Sequence, residues 1–162
     1  MNNSQLHVEI AQVKAAISPT ELISLGLGSC VGVCLYDPIT KVGGLAHVML
    51  PESAEGHKTE FKGKYADTAI PTLIIEMLKL GASKKRLVAK IAGGAQMFNF
   101  SNTSELMCIG ERNVKAVIEA LEKEKIPIIS QDTGMNYGRS IKLCTNTGLL
   151  YIKSMAHNEK VL

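Results

Sequence analysis

Cys30-Val31-Gly32-Val33-Cys34-Leu35-Tyr36-Asp37-Pro38-Ile39-Thr40-Lys41-Val42-Gly43-Gly44-Leu45-Ala46-His47-Val48-Met49-Leu50 decides the fold. In its first third Val31, Val33 and Leu35 alternate with Cys30, Gly32, Cys34 and Tyr36, the two-residue period of a strand. Asp37 to Gly43 has the chemistry of a turn. Gly44 to Leu50 is a second apolar strand, so the stretch predicts a β-hairpin. If Tyr36 pairs with Gly43, each further pair steps outward by one residue on both strands, and His47 lies opposite Gly32. Cys30 then shares a face with Gly32 and becomes a diagonal neighbour of His47. A slip of one residue would put the thiol and the imidazole on opposite faces.

Working outward, Leu6, Val8 and Ile10 alternate with polar residues and predict an earlier strand, and Glu21–Leu27 predicts another. Pro51 to Lys64 is polar and long enough to be a lid-like loop. Ala66, Ala69, Ile70, Leu73, Ile74, Met77 and Leu78 keep helical spacing. Asp67 is expected to cap that helix, Pro71 to mark its start or a kink, and Gly81 to end it. Leu87 to Ala92 predicts a buried strand that ends in Gly93-Gly94. Asn99 to Cys108 reads as a loop, Gly110 to Lys125 as a second helix, and Pro127 to Ser130 as a strand. Asp132 to Gly138 reads as a turn. Ser140–Cys144 and Leu149–Lys153 predict a final hairpin around Asn146-Thr147-Gly148, and residues from His157 onward are expected to be loose. The fold class that follows is α/β: one domain over residues 1–162, a layered mixed β-sheet sandwich with two main covering helices.

Composition narrows the function. Of 162 residues, 46% are hydrophobic but only 4% aromatic, with no Trp, so the core must be built from Val, Ile, Leu, Ala and Met. The net charge of +3 and the absence of basic runs interleaved with aromatics argue against nucleic-acid binding. Met1-Asn2-Asn3-Ser4-Gln5 has neither the charge nor the apolar run of a signal peptide, and no stretch is long and apolar enough to insert in a membrane. A reduced, cytoplasmic protein is expected.

Cysteines 30, 34, 108 and 144 fit neither a zinc site nor a dense disulfide framework, so no metal is expected. Gly93-Gly94 lacks the Gly-Lys-Ser/Thr that would complete a phosphate loop, and no cofactor is expected. Cys30 is different from the other thiols, because a glycine-rich bend precedes it and the hairpin brings His47 to its face. Two readings stand side by side. In one, His47 is the base that activates Cys30 as a nucleophile, with Gly26, Gly28 and Gly32 clearing space for a substrate chain. In the other, Cys30 is a small buried hydrophobe and His47 a satisfied core residue. Cys34, Cys108 and Cys144 read as structural, and His57 as an exposed loop residue.

Leu25-Gly26-Leu27-Gly28-Ser29-Cys30, Ala46-His47-Val48-Met49-Leu50-Pro51 and Lys64-Tyr65-Ala66-Asp67 recur with Ile91-Ala92-Gly93-Gly94-Ala95, Met97-Phe98, Ile109-Gly110, Arg112-Asn113, Asp132-Thr133-Gly134 and Gly138-Arg139-Ser140 in an order that resembles the CheD family of chemotaxis proteins. The resemblance spans nearly the whole chain. It implies a layered α/β fold and hydrolysis of selected glutamine side chains on methyl-accepting chemotaxis receptors to glutamate, with release of ammonia and without a cofactor. It also implies a second partner, a CheC-type phosphatase. On this resemblance Cys30 matches the nucleophile and His47 the base. The third catalytic position, usually threonine, falls on Ser24, which keeps the hydroxyl but lacks the β-branch that stiffens it. Alternatives of other classes are a non-catalytic CheC-binding regulatory module and a methylesterase or amidase using the same pair.

Overall fold

A computed structural model describes residues 3–53, 60–97, 108–155 and 157–162. Along the chain run β1 (Ser4–His7), β2 (Val13–Ile17), β3 (Thr20–Leu27), β4 (Val31–Asp37), β5 (Val42–Val48), α1 (Ala66–Lys79), a 3-10 turn (Lys84–Arg86), β6 (Val88–Gly93), α2 (Ile109–Lys123), β7 (Ile128–Thr133), β8 (Arg139–Cys144), β9 (Leu150–Lys153) and β10 (Lys160–Val161). The strands form two mixed five-stranded sheets, ordered β1-β3-β8-β9-β10 and β2-β5-β4-β6-β7. Parallel pairs β1–β3 and β6–β7 sit among antiparallel ones.

Both helices pack on the second sheet, α1 over β2 and β5, α2 over β4 and β7. The molecule is therefore three layers, helices on sheet on sheet, with a core in each gap. Val31, Val33, Leu35, Ala46 and Val48 meet Ile70, Leu73 and Met77 of α1 and Val117 and Leu121 of α2. Cys34, Leu45 and Ala92 of the second sheet meet Leu22, Leu27, Ile141 and Leu143 of the first. The second sheet is covered on both faces, which is why β4 and β5 are buried at every residue. Each fully buried Leu or Ile contributes about 1.5–3 kcal/mol of transfer free energy.

The β4–β5 register pairs Tyr36 with Gly43 and Gly32 with His47, as the hairpin pattern predicts. Gly32 is glycine for a packing reason. A Cβ there would collide with Ile141 and crowd Leu27, so the two sheets close together over it. The space expected for a substrate at Gly32 is filled by those two side chains.

Other expectations need correction. Val13–Ile17, short and rich in alanine, forms β2 and pairs antiparallel with β5. Asp67 does not cap α1. Tyr65 holds the cap position, and the Asp67 carboxylate instead accepts the Ser53 amide at 3.1 Å. The helix begins at Ala66 and runs through Pro71, because buried Ala66, Ala69 and Ile70 hold its first turns to the sheet. Asp132 and Thr133 belong to β7 rather than to a turn. The chain end is not loose: β10 pairs with β9, Leu150 and Leu162 exchange two backbone bonds, and Lys90 Nζ donates to the Leu162 carbonyl at 2.7 Å. His57 and nearly all of the Asn99–Cys108 segment lie outside the described residues. Among the described residues no helix is long and apolar enough to cross a membrane.

Candidate active site

His47 sits on β5 between Ala46 and Val48, which face the helices, so its side chain faces the first sheet. Ser24 approaches from β3, on the inner face with Leu22. The two are fully buried and meet across the gap, Ser24 Oγ lying 2.7 Å from His47 Nδ1. Ser24 Oγ also lies 2.8 Å from the Val8 carbonyl oxygen. A carbonyl accepts and a hydroxyl has one hydrogen, so Ser24 donates to Val8 and accepts from His47 Nδ1–H. That assignment leaves the lone pair on Nε2, as a general base requires. His47 Nε2 is buried and has no hydrogen-bond partner among the described residues.

The imidazole is also held through its backbone. The His47 amide donates to Gln12 at 3.1 Å, and its carbonyl accepts from Ala11 at 3.0 Å. A β-bulge after Ser24 lets the strand turn toward Cys30: the β3–β8 register shifts between Ser24 and Leu27, with Gly26 at φ +67°.

Cys30 precedes β4 and packs, half-buried, against the core between the sheets. Thiol and imidazole therefore share the inter-sheet side, although no hydrogen bond joins Cys30 to Nε2 in this conformation. Catalytic hydrogen bonds are often long before substrate binds. The carbonyls of the preceding bend are each engaged. Gly28 accepts from Ala95 N–H at 2.9 Å, Cys30 from Gly94 N–H at 2.8 Å, and Ser29 from Asn113 Nδ2 at 2.9 Å. Gly93 adopts φ +108°, and a Cβ on it would strike the Cys30 carbonyl, so the glycine pair serves to seat the bend.

Burial pushes the Cys30 thiol above its ordinary value of 9.0, and its own backbone amide opposes this in part. Burial likewise lowers His47 below 6.5, against the pull of the Val8 backbone and the Glu9 carboxylate. Near neutrality both groups are therefore uncharged, and the resting pair is thiol and imidazole rather than thiolate and imidazolium.

The other thiols differ in setting. Cys34 is buried in the inter-sheet core, its pKa pushed up to about 12 by burial. Cys108 and Cys144 are half-buried. Cys108 lines a groove of about 690 Å³ with Gln96, Val114, Ile118 and Met135, which none of Ser24, Cys30 and His47 lines. Among the described residues no three His, Cys, Asp or Glu side chains lie together as a metal site would need.

Two parts of the site were beyond the sequence reading. The Val8 carbonyl is a backbone acceptor and leaves no residue-type signal. Asn113 did leave one: it is polar yet falls on the buried stripe of α2 with Gly110, Val117 and Leu121.

A family model described as CheD chemotactic sensory transduction matches residues 49–154. A protein of Caldanaerobacter subterraneus subsp. tengcongensis named "Probable chemoreceptor glutamine deamidase CheD" is 51% identical over 162 residues, the whole of both chains. Proteins of the same name from Syntrophomonas wolfei and Clostridium novyi are 48% and 49% identical, covering 97% and 96% of this chain and 98% and 96% of their own. The full-length relatives span Ser24, Cys30 and His47, which precede the stretch matched by the family model.

Proposed function

The chain belongs to the CheD family, and from that premise we propose that it hydrolyses glutamine side chains of chemoreceptors to glutamate, releasing ammonia. The observation that carries the reading is the Val8–Ser24–His47 relay, which leaves Nε2 unprotonated on the side of the sheet that bears Cys30.

The mechanism follows from the resting charges. His47 Nε2 takes the Cys30 proton as the sulfur attacks the carboxamide carbon, so the ion pair forms only as the carbon–sulfur bond forms. Charge builds on the amide oxygen, where backbone N–H groups of the Ser29-Cys30 bend would receive it. The imidazolium then protonates the nitrogen, the carbon–nitrogen bond breaks, and ammonia leaves a thioester on Cys30. Water, deprotonated by the same Nε2, attacks the thioester. The carbon–sulfur bond breaks, glutamate departs, and the proton returns to sulfur. Ser24 keeps the ring in the tautomer that both steps use. Every step is served by side chains and amides of this chain.

The receptor's cytoplasmic region is the substrate, which sets the cytoplasm as the place of action. A CheC-type phosphatase is the second partner, on the strength of the family resemblance alone. To test the reading, the protein is incubated with purified receptor cytoplasmic fragments and the products are mapped by peptide mass spectrometry. Specific glutamines should become glutamates, with ammonia released in equal amount. Methanol release without amide conversion would instead support an esterase, and tight phosphatase binding without any conversion would support a regulatory module.

A further inference from the structure

We propose that Asn113 is a positioning residue for this deamidase reading: by holding the Ser29 carbonyl it aims the Cys30 amide at the oxyanion of the tetrahedral intermediate. The β4–β5 ladder ends at the pair Val31–Val48. One step further Cys30 would face Met49, but the Met49 amide is turned away to the Lys64 carbonyl at 2.9 Å. Asn113 fills the missing step. Its Nδ2 donates one hydrogen to Ser29 at 2.9 Å and the other to Met49 at 3.0 Å. One amide group thus joins the residue before Cys30 to the residue two after His47.

The consequence runs through peptide planarity. In a trans peptide the C=O and the following N–H point in opposite directions across one rigid plane. Fixing the Ser29 carbonyl on α2 therefore fixes the Cys30 N–H on the other edge. That amide is the one that reaches the cysteine's own sulfur. It is therefore well placed to receive negative charge that develops on an atom bonded to that sulfur. Among the described residues, Ser29 is the one carbonyl of Gly28-Ser29-Cys30 held by a side chain, the other two being held by backbone amides. Asn113 is itself fully buried on a helix whose start is pressed onto the strand end, since a Cβ at Gly110 would strike the carbonyls of Gly94 and Ala95. Its Oδ1 has no partner among the described residues.

Asn113→Leu is close in size and carries no donor hydrogen. Its kcat for receptor deamidation should fall about 10²-fold while KM changes little, the loss typical of one oxyanion donor. Alkylation of Cys30 by iodoacetamide, a displacement that builds no oxyanion, should change only by a small factor. An unchanged kcat overturns the proposal, and so does a parallel loss of kcat and alkylation, because that would mean a displaced thiol. Asn113→Ala gives the same two readings if the leucine variant does not fold. Should the wild type deamidate nothing, the deamidase reading fails separately, and the positioning role is read from propionaldehyde. There the sulfur bonds to the carbonyl carbon, the C=O π bond opens, and the thiol proton ends on oxygen. Protection of Cys30 from alkylation by the aldehyde should need about tenfold more aldehyde in the variant. Equal protection overturns the proposal.

Discussion

At the scale of the residue, one hydroxyl settles the protonation pattern of the site. Ser24 gives its only hydrogen to Val8, so His47 must present Nδ1–H to it and keep Nε2 bare. Ser24→Ala frees the ring to rotate or change tautomer, and kcat for deamidation should fall about 10–10²-fold, with Ser24→Thr restoring most of it. Steady-state kinetics on a receptor fragment check this. The pH profile follows from burial. His47 works as a base only when neutral, and its folded pKa is lowered, so kcat/KM should hold as pH falls to 6.5 and decline only below it. Without substrate, alkylation of Cys30 should rise with a midpoint above 9.0, since burial raises the thiol. A rate already maximal at neutral pH would mean a resting ion pair and contradict the charge assignment. The face that His47 presents was legible, because strand alternation and one assumed turn pair fix the Gly32–His47 register. The uncharged state of the pair was not, because burial depends on Leu22, Leu27 and Ile141 arriving from other strands.

The hairpin β4–β5 is the element that brings thiol and base to one side. Within it Gly32, paired with His47, admits Ile141 and Leu27 from the first sheet. Gly32→Ala should cost about 1–3 kcal/mol through overpacking, read as a lower denaturant midpoint with an unchanged slope. No loss would mean the sheets have room to spare there. The hairpin and α1 were readable because their apolar periods run long. β2 escaped because its five residues include two alanines, which carry little strand signal, and its identity comes from pairing with β5. Asp67 has the right residue type for a cap, but the Ser53 amide competes for its carboxylate.

For the molecule as a whole, the candidate site depends on two sheets closing face to face, since Ser24 and His47 belong to different sheets. A second junction supports the closure. Buried Arg139 of β8 pairs with Asp132 of β7 at 3.2 Å and donates to the Gly134 carbonyl at 2.9 Å. The layered α/β class was legible from element order, but the division of the described strands between two sheets was not, because it is set by non-local pairs such as β3–β8. The proposed deamidation requires the sulfur at position 30 to do the chemistry in this gap. Its most direct test is glutamine-to-glutamate conversion on a receptor fragment by Cys30→Ala beside the wild type, with the fold of both verified. The variant should lose about 10³-fold or more in rate. Conversion by the variant at a rate near that of the wild type would contradict it.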